Sequence, residues 1–334
     1  MSAESEDAAD MMLSIIKSKM EEADMMFCAS CGIAEVDDIK LKKCTACKLV
    51  RYCSVNCQKE HRSQHKRACK KRVAELRDEI LFKQPDSSHL GDCPICFLPM
   101  PIDFDKCSMM SCCSKMICGG CQYATFLHNM EDRLEHNCQF CRNTSTEPSD
   151  VNTMKRDVNL ERMKRIEAND PVAMREMGTE CLEKGDEASA FKHWKKAADL
   201  GDIEAHYQLS VMYSLGGDGV DKDKKKRIFH LEEAAIGGHP AARFNLGNVE
   251  ANDGRFKRAI KHWIIAANLG YDNSMNKLRW GYEKGYLSKD DFAAALRAHQ
   301  VAVDEMKSPQ REAHEAVKRS VESNEAFRQQ WMGC

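Results

Sequence analysis

The sequence predicts a mainly α-helical protein in which two small cysteine-built modules precede an α-helical repeat solenoid. Three observations carry that prediction. Sixteen cysteines lie between Cys28 and Cys141, and with His65 all but one of them fall into eight close pairs. From Met177 onward, short helical phrases recur at steps of 32 and 37 residues. No run of about 18 apolar residues occurs anywhere, so no membrane span is predicted.

Length and composition set the frame. At 334 residues the chain has room for two or three domains, and 43% hydrophobic with 31% charged residues is an ordinary globular balance. The net charge of −2 gives no global basic field, so a nucleic-acid partner is not expected without a local basic patch. Residues 1–27 form an acidic tail or helix, with an amphipathic stretch from Met11 to Phe27. Their seven acidic side chains are answered only by Lys17 and Lys19, with no apolar core, so they do not read as a secretory signal. Without an export signal, the paired cysteines point to reduced thiolates on metal rather than to disulfides, and to a cytoplasmic or nuclear location.

The first block of pairs reads Cys28-x2-Cys31, Cys44-x2-Cys47, Cys53-x3-Cys57 and His65-x3-Cys69. The second reads Cys93-x2-Cys96, Cys112-Cys113, Cys118-x2-Cys121 and Cys138-x2-Cys141, with Cys107 unpaired. Two residues between cysteines make a knuckle that aims both sulfurs at one ion about 2.3 Å away, and two such pairs complete a tetrahedron. Eight pairs therefore predict four Zn²⁺ ions. Cys107, Cys181 and Cys334 read as apolar residues.

Residues 28–69, including Arg51-Tyr52-Cys53 before the Cys-x3-Cys step, resemble a MYND finger. In that family the pairs interleave, which implies one site of Cys28, Cys31, Cys53 and Cys57 and another of Cys44, Cys47, His65 and Cys69. His65 and Cys69 share a helix face, and His61 on the same face competes for the ligand position. The basic run from Lys66 to Arg72 reads as a solvated face that offsets the thiolate charge. Residues 70–92 read as a helical spacer, periodic from Val73 to Phe82 and stopped by Gln84-Pro85-Asp86-Ser87-Ser88.

Residues 93–142 resemble a RING domain of the all-cysteine subtype. The resemblance implies one site of Cys93, Cys96, Cys118 and Cys121 and another of Cys112, Cys113, Cys138 and Cys141, with Cys107 as a possible substitute in the second. RING domains that support ubiquitin transfer hold a charged ubiquitin-conjugating enzyme in a reactive pose, without a nucleophile of their own. Ile95 inside the first knuckle, Phe126 after the sixth ligand and Arg142 after the last ligand are the expected contacts. Gln139 stands where the family usually has proline.

After a polar linker, residues 143–153, the composition turns to Ala, Leu and charged residues at helical period. Met177-Gly178, Leu209-Ser210 and Leu246-Gly247 recur, as do Ala197-Ala198, Ala234-Ala235 and Ala266-Ala267. Trp194, Leu231 and Trp263 each stand three before an Ala-Ala pair, and Ala205, Ala242 and Ser274 each stand four before a Leu. A period of this size means paired helices stacked in a solenoid, with Gly201, Gly238 and Gly270 closing each second helix. The phrases Trp194 to Gly201 and Gly217 to Lys224 resemble Sel-one-like repeats, relatives of tetratricopeptide repeats. The repeats are expected over 154–303, with a degenerate last one from Ser274 to Val303, and residues 304–334 read as a further amphipathic helix able to dock on the solenoid or on a partner.

No catalytic triad, phosphate loop or carboxylate pair is present in the repeats. The fold class is thus mainly α, with two zinc-stabilised cross-brace modules ahead of the solenoid. The resemblances imply a RING-type ubiquitin ligase whose MYND and repeat modules recruit protein or peptide partners. The alternative is a non-enzymatic scaffold in which both modules only bind partners. A MYND-containing lysine methyltransferase is excluded, because no cofactor-binding half flanks the finger.

Overall fold

Cysteines crowd the chain before residue 142 and alanine-rich helical phrases follow it, and the two stretches build their cores from these different residues. The computed structural model describes the backbone of residues 27–132, 138–141 and 151–331, and the side chains of 27–131, 138–141 and 159–321. Two compact units meet in sequence after Leu81. Among the described residues no helix is long and apolar enough to cross a membrane. The amphipathic stretch ahead of Phe27, together with Arg142 and Cys334, lies outside the described residues.

In the first unit, strands β1 (Lys42–Lys43) and β2 (Arg51–Tyr52) pair antiparallel, with Lys42 opposite Tyr52. Helix α1 then runs unbroken from Val55 to Leu81. The periodic stretch from Val73 is thus a continuation of the helix that bears His65 and Cys69. No Gly or Pro interrupts it before Pro85. Only His65 and Leu81 are buried along α1, and ion pairs from Lys71 and Arg72 to Glu75 support its exposed face. The core of this unit consists of Cys28, Leu41, Cys44, Cys47 and Tyr52, and three of those five are cysteines.

The second unit opens on a segment without helix or strand from Phe82 to Gly91. A hairpin follows, β3 (Cys107–Met110) against β4 (Lys115–Cys118), with Cys107 opposite Cys118, and helix α2 (Gly119–Asp132) leaves directly from it. Here too cysteines dominate the core: Cys93, Cys118 and Cys121 with Met100 and Ile117.

The remaining helices are α3 (Val151–Glu167), α4 (Pro171–Glu183), α5 (Glu187–Asp199), α6 (Ile203–Leu215), α7 (Lys224–Ile236), α8 (Pro240–Asn252), α9 (Phe256–Asn268), α10 (Asn273–Glu283), α11 (Lys289–Glu305) and α12 (Pro309–Trp331). From α3 to α11 each packs on the next, and α9 also touches α11. Starts are chemically marked: Asp170 caps α4 through the Val172 and Ala173 amides with Pro171 behind it, Asp202 caps α6 through Ala205 N–H at 2.7 Å, and His239 Nδ1 caps α8 through Ala242 N–H at 3.2 Å. Stops are marked by Gly201, Gly238 and Gly270, with φ of 90°, 87° and 87°, a conformation that costs side-chain-bearing residues.

The repeat cores explain one sequence correlation. A methyl group on Gly178 would lie 2.6 Å from Trp194 Cδ1, and one on Gly247 would lie 2.5 Å from the same atom of Trp263. Both indoles are fully buried and need a glycine on the facing helix. In the middle repeat the indole position is Leu231 and the glycine position is Ser210, so the smaller hydrophobe tolerates a side chain opposite. Helix α12 does not extend the solenoid. It packs on α2, where added methyl groups on Gly119 and Gly120 would strike the His314 ring at 2.5 Å and the Arg311 backbone nitrogen at 2.6 Å.

Candidate metal centres

The knuckle Cys28 to Cys31 turns on a bond from Gly32 N–H to the Cys28 carbonyl, 2.8 Å, and is tied to the β2 strand by Ala29 N–H donating to Arg51 O, 2.9 Å. That docking sets it beside Cys53, which follows β2 directly, and Cys57 in the first turn of α1. The sulfurs of Cys28, Cys31, Cys53 and Cys57 converge, with Cys31 to Cys53 and Cys53 to Cys57 both 3.5 Å. The second knuckle, Cys44 to Cys47, closes through Lys48 N–H to Cys44 O, 2.9 Å, with Lys48 in the left-handed region. It faces His65 and Cys69, one turn apart on α1. Cys47 Sγ is 3.1 Å from His65 Nε2, and Cys44 Sγ is 4.0 Å from Cys69 Sγ. His61 is not in this group: its Nδ1 lies 3.1 Å from the Tyr52 hydroxyl.

The second module repeats the construction. Phe97 N–H bonds Cys93 O at 2.8 Å, β4 delivers Cys118, and the first turn of α2 delivers Cys121. Cys93, Cys96, Cys118 and Cys121 form one group, with Cys96 and Cys118 sulfurs 3.8 Å apart. The β3–β4 turn delivers Cys112 and Cys113 to Cys138 and Cys141, at 3.7 Å from Cys113 to Cys138 and 3.3 Å from Cys112 to Cys141. Cys107 stands apart: its thiol faces the Pro101 and Asp103 carbonyls, and burial pushes it up to about 12. It therefore behaves as a neutral thiol rather than as a substitute in the second group.

Four sulfurs each about 2.3 Å from one ion stand about 3.8 Å apart, close to the separations here. The electrostatics make the same demand. At the first cysteine of the knuckle, burial opposes ionisation, yet backbone amides of Cys31, Cys53 and Ser30 pull Cys28 down to about 6. Cys93 and Cys138 are both held near 7 in the same way, each against its own burial, by amides of Cys118, Cys96 and Ile95 and of Cys141 and Phe140. Their partners go the other way. Cys53 is pushed to about 12 by the sulfurs of Cys31, Cys57 and Cys28, and Cys69 to about 11 by burial and then by Cys47 and Cys44. In each cluster one thiol is lowered and at least one neighbour is raised, which is the situation a divalent cation resolves. Burial and neighbouring His61 lower His65, keeping it neutral and fit to be a ligand.

Of the expected conjugating-enzyme contacts, Ile95 is 38% and Phe126 47% exposed, both on the second module. Sequence reasoning missed Arg311 of α12. Its guanidinium is buried and donates to Pro99 O at 2.7 Å, Met306 O at 2.7 Å, Leu98 O at 3.3 Å and Cys96 Sγ at 3.4 Å, bracing the first knuckle. The Gly119-Gly120 dipeptide ahead of Cys121 was the available signal, since paired glycines at a helix start permit close approach of another backbone.

These features define a mainly helical protein that joins cysteine-rich fingers to a repeat solenoid. In particular, residues 28–69 match the MYND finger, and residues 171–202, 203–239 and 240–271 match the Sel1 repeat. Both are modules of protein–protein contact, and the MYND finger implies zinc. The chain is 25% identical over 175 residues to DAP3-binding cell death enhancer 1 of Mus musculus, covering 41% of this chain and 34% of that protein. It is 27% identical over 86 residues to chitin synthase regulatory factor 4 of Schizosaccharomyces pombe, covering 26% of this chain and 14% of that one. Among solved structures, a protective antigen of uropathogenic Escherichia coli with an SLR fold aligns at TM-score 0.38 and 22% identity, covering 42% of this chain and 32% of that one. A Sel1 repeat protein from Oxalobacter formigenes aligns at TM-score 0.39 and 30% identity, covering 46% and 65%. The chain thus spans about a third or less of both curated relatives.

Proposed function

We propose that the chain is a zinc-built recruiting protein in which the second cysteine module works as a RING-type ubiquitin ligase. Four Zn²⁺ ions would hold the two modules, one in each cluster. The MYND finger and the repeats would collect protein partners in the cytoplasm or nucleus. For the finger, a groove of about 440 Å³ lined by Ala46, Val55, Gln58, Lys59, Arg62 and Lys66 offers apolar and basic groups to a peptide.

The observation that carries the ligase reading is the interleaving of the two clusters in residues 93–141 with Ile95 and Phe126 left exposed beside them. A charged conjugating enzyme would pack on these two residues, with Arg142 steadying the reactive pose. Catalysis would then be positioning alone. The second reading, a scaffold without ligase activity, is favoured by Arg311, which ties the knuckle next to Ile95 to α12, and by Gln139 in the usual proline position.

Discharge of ubiquitin from a preloaded panel of conjugating enzymes separates the two. The ligase reading expects discharge above the protein-free rate, loss of enzyme binding in Ile95→Ala, and slowed discharge with binding retained in Arg142→Ala, zinc content being unchanged in both. Equal rates for all three proteins, none above the protein-free control, leave the scaffold.

A further inference from the structure

The segment between the two cysteine modules has no secondary structure of its own, yet it is seated on the solenoid residue by residue. Phe82 lies on the imidazole of His262 in α9, ring centroids 4.7 Å apart, with the Arg258 guanidinium 4.7 Å and the Lys261 ammonium 5.4 Å from its ring centre. Each cation is attracted to the π system of the Phe82 ring. The Gln84 side-chain carbonyl accepts from Asn268 Nδ2 at the end of α9, 3.1 Å. Further along, His89 N–H donates to Gly238 O at 3.1 Å, and a methyl group on Gly238 would lie 2.8 Å from the Ser87 carbonyl oxygen. The His89 ring then stacks on His239, centroids 4.4 Å apart, with its Nε2 3.3 Å from a Glu204 carboxylate oxygen.

These contacts span the second and third repeats, and they form the pattern by which a solenoid holds an extended ligand: an aromatic anchor at one end, one main-chain bond, and a ring anchor seven residues on. We infer that this surface is a docking site for an extended protein segment carrying an aromatic residue followed seven positions later by histidine, and that residues 82–92 occupy it as a tethered ligand. The inference rests on the reading of the repeats as a recruiting surface and is independent of ubiquitin transfer.

Two features favour a displaceable ligand over a fixed strut. Both His89 ring nitrogens are buried without a hydrogen bond of good geometry, so the ring is held chiefly by its stacking on His239. The main-chain register is set by the bond from His89 N–H to the Gly238 carbonyl. The donors His89, Glu204 and His239 are also close enough to surround a cation. However, His239 Nδ1 accepts the Ala242 N–H, so its Nε2 carries the hydrogen donated to Glu204 at 2.9 Å and neither nitrogen is open to an ion.

A tethered ligand competes at an effective concentration in the millimolar range, so the native site should resist free peptide. The test is fluorescence anisotropy of a labelled synthetic peptide of residues 82–92, titrated with the zinc-loaded full chain. The double variant Phe82→Ala with His89→Ala should bind the peptide about tenfold or more tighter than wild type. Adding Glu204→Gln and Arg258→Ala to that variant should remove the gain, and a peptide bearing the same two alanines should not bind. Equal affinity of wild type and double variant, or no binding to either, overturns the inference. A second measurement needs no variant: excess peptide should speed hydrogen exchange of the His89 amide in the isotope-labelled wild-type chain, and unchanged protection counts against displacement. Neither assay contains a conjugating enzyme, so failure here leaves the discharge experiment to be judged by itself.

Discussion

The two cysteine modules and the repeat solenoid solve the same problem with opposite materials. In the modules, six of the ten buried core residues are cysteines of the four candidate metal clusters, flanked by Leu41, Tyr52, Met100 and Ile117. In the solenoid the core is Trp194, Trp263, Leu209, Leu231, Leu278 and a file of buried alanines. Removing metal from the first takes away its centre and leaves like charges or reluctant thiols facing each other. Removing metal from the second changes nothing in its core. Cohesion by coordination and cohesion by apolar packing should therefore fail under different treatments.

Chelation gives the largest expected effect. Structural zinc supplies on the order of 10 kcal/mol in small fingers. A strong chelator added to the full chain should abolish hydrogen-exchange protection around Cys28–Cys69 and Cys93–Cys141 while α5 to α9 keep theirs. Loss of protection in α5 to α9 at the same chelator concentration would break the comparison.

Next in size is Trp194→Ala, which empties the most buried indole of the first repeat against Gly178 and should cost about 3–5 kcal/mol by denaturant unfolding. Zinc content should be unchanged. Zinc release from this variant would mean that the modules lean on the solenoid core.

Acid sharpens the contrast from the solenoid side. Burial, with Arg243 and Arg258 nearby, lowers His262 to about 3, and burial beside His206 lowers His230 to about 4. Both histidines are neutral in the fold, so the unfolded chain binds more protons below about pH 6.5. Stability contributed by these groups is complete above that pH and falls as pH drops toward 4. The expected loss is on the order of 2–3 kcal/mol for each of the two histidines, read from urea midpoints between pH 7 and pH 4.5. A flat profile in that window contradicts the burial argument, and His262→Phe should shrink the slope. Smallest of all, Asp170→Ala should cost about 1 kcal/mol by denaturant unfolding through loss of the α4 cap.

The same comparison explains what could be read from the sequence. Ligand pairs are local, one to four positions apart, so the pairs are legible in the spacing, while their grouping, Cys28/Cys31 with Cys53/Cys57 and Cys93/Cys96 with Cys118/Cys121, is what the family resemblance implies. Repeat cores are periodic, so Trp194, Leu231 and Trp263 announce themselves. What is neither local nor periodic was invisible. Arg311 reaches a knuckle more than two hundred residues away in sequence, and the amphipathic pattern of its helix suits docking on the solenoid or on a partner equally. Both His61 and His65 fit the spacing on one face of α1; in the fold His65 lies beside Cys47 while Tyr52 engages His61 from the neighbouring strand. Phe82 and His89 sat in a stretch read as a spacer, because single contacts to distant helices leave no pattern in the segment that makes them.

The central claim is that coordination, in four separate clusters, is what holds the N-terminal modules together. Native mass spectrometry of the full chain purified without chelator tests it directly. The account predicts four zinc ions per chain, falling to three in Cys113→Ser and in Cys57→Ser while the helical signal of the solenoid persists. Two ions or fewer in the wild type would contradict it.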